Sequence, residues 1–181
     1  MRALLAAVAL LFVQAAHALD FEVRQANGER WVQASGYIEA GDGRAFLAIT
    51  RDLPGVNWIV FDSPGGGVRA SISLGHAVRN RGFTTLVPVG ARCLSACFFA
   101  FIGGHERVVD GDLGVHQFYG SRAADADLAE SEAQFIVADL VEYVLGMGVS
   151  IEALNVALRT PSDEMHVFTR DELLRFGLQR T

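Results

Sequence analysis

The segment from Asn57 to Gly82, NWIVFDSPGGGVRASISLGHAVRNRG, constrains the fold of this chain more than any other. Its apolar run, Trp58 to Phe61, is short, unbroken, and followed by Asp62 and a glycine-rich stretch. A run of that length with no polar alternation has no solvent face, which is the habit of a strand buried on both sides in a parallel sheet. After the glycines the period changes. Ala70, Leu74, Ala77 and Val78 fall on one face of a 3.6-residue repeat. Arg79 and Arg81 in the last turn and Gly82 just beyond are helix stop signals. Strand, glycine turn and helix in that order form the unit of an α/β layer fold with right-handed crossovers.

The alternation continues downstream. FTTLVPV reads as the next strand, SACFFAFIGG as a mostly buried helix, and ERVV and GVHQF as short strands. A long amphipathic helix is predicted over residues 125–145, with Val137, Leu140, Val141 and Val144 on one stripe, and SIEALNVALR and RDELLRFG close the chain as helices. Upstream, Asn27-Gly28 marks an opening hairpin, and a short helix follows Gly41-Asp42-Gly43. No repeat or long linker interrupts the pattern, so residues 19–181 are expected to form a single domain.

Residues 1–18, MRALLAAVALLFVQAAHA, have the basic start, short apolar run and Ala-His-Ala end of a cleaved signal peptide. The mature chain is therefore expected in the periplasm or secreted, where a disulfide is permitted and ATP and coenzyme A are not at hand. The formal net charge is −6, with no basic run, which argues against a nucleic-acid partner. All 15 basic residues are arginine; the chain has no lysine.

Two strand-to-helix turns, Ser63–Gly67 and Cys93–Ala96, should meet at the carboxyl edge of the sheet, where α/β proteins bind ligands. Glycines let a backbone approach a ligand closely and aim N–H groups at a developing oxyanion. Ser95 stands where a helix starts, and either an N-cap or a nucleophile fits that position. His116, 21 residues later, follows a strand leading back to the same edge and could act as general base. The remaining mature histidines, His76, His105 and His166, read as structural. Cys93 and Cys97, the only cysteines, allow a disulfide if Cys93 precedes the helix, or two buried thiols; a zinc site lacks enough further ligands. A bridge would clamp the turn that carries Ser95.

These pieces, in this order and at these intervals, resemble the proteolytic subunit of the Clp protease and its relatives in the ClpP/crotonase fold. The resemblance rests on SPGGGV after a buried strand, Ser95 within CLSACFFAFIGG, and GVHQF beyond it, and covers residues 35–180. YGSRAADADLAESEAQF is similar to the family's projecting handle and RDELLRFGL to its closing helix. The resemblance implies repeated β-β-α units with a largely parallel sheet, flanking helices and a helical handle. It also implies a serine peptidase without metal or cofactor, acting on a peptide or protein and able to form a homo-oligomer through the handle. Ser95 would be the nucleophile and His116 the base, with Gly66 and Ala96 supplying the oxyanion hole. The family's histidine-orienting aspartate falls on Met165 here, beside Asp163 and Glu164; Asp163 is the expected acid, a Ser-His dyad the alternative. Without lysine, the serine-lysine chemistry of signal-peptide peptidases of this fold is excluded, and a crotonase-type acyl-CoA enzyme is set aside with its cofactor. Two functions follow: an extracytoplasmic serine hydrolase, or a catalytically degenerate relative that binds peptides or a protein partner without turnover.

Overall fold

The computed structural model describes residues 19–118 and 126–179. The apolar run of the central segment becomes strand β3, Trp58–Gly66, in which Ile59, Val60 and Phe61 are buried. It is flanked on one side by a hairpin of β1, Asp20–Ala26, and β2, Glu29–Ile38, turning at Asn27-Gly28. Between β2 and β3 lies the short helix α1, Asp42–Thr50. The predicted helix after the glycines is α2, Val68–Asn80, with Leu74, Ala77 and Val78 buried.

Strands β4, Thr84–Val87, and β5, Arg92–Leu94, both run parallel to β3, but at different heights. The lower half of β3 pairs with β4, Trp58 opposite Thr84, and its upper end pairs with β5, Ser63 opposite Cys93. Each branch then adds a further parallel strand. β6, Arg107–Val109, joins β4, and β7, Asp112–Val115, joins β5. The two-residue strand β8, His166–Val167, closes the β7 edge antiparallel. The result is a mixed α/β fold with an eight-stranded, mostly parallel sheet.

Helix α3, Cys97–Ile102, is buried along its whole length. It can be so because α2 approaches it backbone to backbone: a Cβ at Gly103 would lie 2.3 Å from Gly75 O. Tyr143 of α4, Ala126–Gly146, locks this contact by donating to Phe99 O at 2.6 Å. Burial pushes the pKa of that hydroxyl up, against the opposing pull of Arg79 and Arg107. Only the second half of α4 is packed, through Leu140, Tyr143, Val144 and Met147; Leu128 and Phe135 in its first half are exposed. The remaining helices are α5, Ile151–Arg159, and α6, Arg170–Arg175, the latter opened by a Thr169–Glu172 capping box. Arg107, just 1% exposed, donates to Ile102 O, Gly104 O, Met147 O and Gly177 O, tying the ends of α3 and α4 to the C-terminal segment. Hydrogen bonds to a charged group of this kind contribute about 1.5–3 kcal/mol each when buried. Among the described residues no helix is long and apolar enough to cross a membrane.

Three features differ from the sequence expectation. The Ser63–Gly66 stretch is not a turn but the continuation of β3, with Tyr37 opposite Gly65 and Ile38 opposite Gly66. Glycine permits this: Gly66, at φ 151°, lies so close to β2 that a Cβ would sit 2.1 Å from Ile38 O. The short strands β5 and β8 also escaped prediction, because runs of three and two residues carry no readable period. The signal-peptide residues and part of the handle segment, 119–125, lie outside the described residues.

Candidate active site

Ser95 is the centre of the arrangement. It stands immediately after β5, with φ 55°, one of two non-glycine residues of positive φ among those described. The N-cap of α3 is Ala96, and no side chain caps that helix. The capping role is therefore ruled out for Ser95. A left-handed residue between a strand and a helix turns the chain sharply and lifts its side chain out of both elements. The serine amide is fixed across the sheet, donating to Gly114 O at 2.8 Å.

The glycine end of β3, extended and not a turn, lies against this serine turn. A Cβ on Gly65 would lie 2.8 Å from Leu94 O, 2.9 Å from Ser95 Cβ and 3.1 Å from Ala96 N. Gly67 N–H donates to Ile38 O at 2.9 Å. Successive amides of a strand point to opposite sides, so Gly66 N–H is turned away from β2, toward β5 and Ser95. Ala96 N–H, at the start of α3, donates to no backbone acceptor among the described residues. A cleft of about 440 Å³ opens here, lined by Ser95, Gly66, Gly67, Val68, Phe118 and Ile136 among others. Phe118 and the α4 residue Ile136 were missed by the sequence reading. Both are ordinary apolar residues whose signal exists only once α4 folds across the sheet edge.

His116 follows β7 as Ser95 follows β5, and these strands are parallel neighbours with Leu94 opposite Gly114. Both residues thus leave the sheet at the same edge from adjacent strands. His116 is half-buried and is not among the residues lining the cleft. On its other side β7 is closed by β8, with Val115 opposite His166 as the last pair of that ladder; beyond it Gln117 N–H donates to Thr160 O at 2.9 Å. Asp163 and Glu164 lie in the preceding turn, exposed, and neither carboxylate forms a hydrogen bond or ion pair with a described residue. The expectation that Asp163 orients the histidine is not met. Both acids stay in solvent just ahead of β8.

Cys93 and Cys97 are joined in a disulfide with Cα atoms 5.2 Å apart, and both residues are fully buried. The bridge spans the Ser95 turn. Of the other histidines, His76 stacks edge-on to Tyr143 at 5.0 Å and His166 bonds Glu172 at 3.1 Å, as structural residues do. Among the described residues no three His, Cys, Asp or Glu side chains are grouped to hold a metal. A larger groove of about 770 Å³ between α2 and α4 adjoins the cleft through Arg69. It is crossed by the Arg69–Asp139 ion pair at 3.3 Å, and the arginine of its far end, Arg79, is engaged with Met147 O and Ile102 O. Ser73 and His76 of α2 also line it. No protein-family profile matches the chain, and no curated protein matches it.

Proposed function

We propose that the chain is an extracytoplasmic serine hydrolase of the ClpP/crotonase fold, acting on peptides. The observation that carries this reading is the left-handed Ser95, held between β5 and α3 with Gly65 against it and Gly66 lining the same cleft. The branching of β3 to β4 and β5, each followed by a further parallel strand, supports the fold assignment. In the proposed reaction Ser95 Oγ attacks a peptide carbonyl carbon while His116 takes the hydroxyl proton. The Gly66 and Ala96 N–H groups hold the oxyanion of the tetrahedral adduct. The leaving amine receives the proton from His116, leaving an acyl-serine. Water, deprotonated by the same histidine, then releases the acid and restores Ser95.

A second reading, a peptide-binding relative without turnover, is favoured by one observation: Asp163 and Glu164, the acids of the sequence pattern, are exposed and bond no described residue. One experiment decides between them. A fluorophosphonate forms a tetrahedral adduct on an activated serine, so mature wild-type protein should label. Ser95→Ala should abolish labelling, and His116→Ala should reduce it about 100-fold or more, the span of general-base assistance. Asp163→Ala should leave the rate unchanged, since that carboxylate bonds no described residue. Folded wild-type protein that stays unlabelled at long exposure overturns the hydrolase reading in favour of the binding one.

A further inference from the structure

The disulfide closes a ring of five residues, Cys93 to Cys97, with Ser95 at its middle. One end is fixed in the sheet: Cys93 pairs with Ser63 of β3 on one side and Leu113 of β7 on the other. The other end is the first residue of the wholly buried α3. Between these anchors only Leu94, Ser95 and Ala96 can turn the chain from strand to helix, and the turn is made at Ser95, φ 55°. A serine reaches that region against the steric preference of its own Cβ. Left unrestrained, such a residue relaxes toward the extended or right-handed regions. Its Cβ and the Ala96 amide would then part from Gly65.

We propose that the Cys93–Cys97 disulfide is a positioning device, a permanent staple that holds Ser95 in its left-handed backbone conformation and so sets its side chain beside Gly65. The chemical benefit of that placement rests on the hydrolase reading; the backbone restraint does not. The staple is not a redox switch. Both cysteines are fully buried, so a reductant cannot reach the sulfurs without opening the turn.

The test combines two perturbations in the mature chain. Ser95→Gly and Ser95→Ala are compared by thermal melting, with the bridge present and with the Cys93→Ala/Cys97→Ala pair. A Cys93→Ala/Cys97→Val pair, which refills the lost volume on α3, serves if the first does not fold. With the bridge, glycine should melt about 2–4 °C above alanine, because only glycine accepts positive φ freely. Without it, the gap should vanish or reverse as the turn relaxes to a region where alanine is preferred. On the Ser95 background, removing the bridge should slow fluorophosphonate labelling about 10- to 100-fold at every pH, the scale of a misplaced catalytic group. The midpoint of the pH profile should not move, because His116 lies outside the ring. Under native conditions dithiothreitol should leave the mass unchanged; a prompt gain of two hydrogens by the folded chain overturns the staple. A glycine–alanine gap that survives loss of the bridge overturns the positioning role, leaving Gly65 and Gly114 as the restraint. Absence of labelling in bridged wild type refutes the hydrolase reading alone, since the melting comparison still decides the rest.

Discussion

Replacing Gly65 with alanine tests the packing on which the candidate site depends. Gly65 sits at φ 112°, where an L-residue is strained, and its α-carbon lies against the Ser95 turn. The added methyl would meet Leu94 O at 2.8 Å, Ser95 Cβ at 2.9 Å and Ala96 N at 3.1 Å. Two of these are backbone atoms, so no side chain can swing aside to relieve them. The conformational part costs about 1–3 kcal/mol, and overpacking a tight interior adds about 1–3 kcal/mol. Allowing for partial relaxation, a loss of about 3 kcal/mol is expected, which lowers Tm by about 6–12 °C for a chain of this length. Gly82→Ala is the control. It has φ 70° with no atom within 4 Å of the new methyl, so it reports backbone strain alone, about 1 kcal/mol. Urea denaturation should show both variants shifting the midpoint at constant slope, Gly65→Ala by the larger amount. Fluorophosphonate labelling should fall in Gly65→Ala and not in Gly82→Ala. If the two variants lose equal stability, the glycine stretch is not packed on the serine turn and the facing-turn geometry is wrong.

Two further perturbations follow from the same structure. Met165→Asp puts a carboxylate where the Met165 side chain packs against Gly114, two residues before His116, and should speed labelling about tenfold, well short of the effect of an evolved acid; no change in a folded variant would mean that position 165 does not reach the histidine. Glu172 has its pKa lowered from 4.5: burial pushes it up, but hydrogen bonds from Thr169 and His166 outweigh that and draw it down. A carboxylate with a lowered folded-state pKa contributes stability above its ordinary value and loses it as pH falls through the folded value. Glu172→Gln, which still accepts the Thr169 amide, should therefore flatten the loss of urea midpoint below pH 4.5, and an unchanged acid limb would refute the assignment.

The layer fold was legible because its central strand and following helix each carry a strong period. The apolar run Trp58–Phe61 is buried, and the helix begins at Val68 after the glycines. What the period could not show was where β3 ends. Ser-Pro-Gly-Gly looks like a turn by composition, yet it stays extended because β2 runs alongside it and Pro64 can sit where no amide is needed. That pairing joins residues 37–38 to residues 65–66, far apart in the chain, and local propensity holds no record of it. The branching of β3 was hidden for the same reason. Its two neighbours are distinguished only by height along one strand, and β5 is three residues long.

The candidate site divides along the same line. Ser95, Gly66 and His116 were visible as residue types at telling positions, and the parallel register brings them to one edge. The conformation that separates a nucleophile from a helix cap was not visible, since positive φ at a serine follows from anchors on both sides and not from its neighbours' propensities. The acid was misplaced for a sharper reason. Asp163 is near His116 in the sequence pattern, but a β-ladder places residues by parity and register. The Val115–His166 pair is the last of the β7–β8 ladder, and Asp163 and Glu164 precede it in an exposed turn. On the proposed reading the site couples a well-anchored turn at Ser95 to His116, with Asp163 and Glu164 out in solvent. Such a site should acylate more readily than it turns over: the oxyanion groups act in both steps, whereas deacylation calls on His116 a second time to deprotonate a free water that no covalent geometry holds.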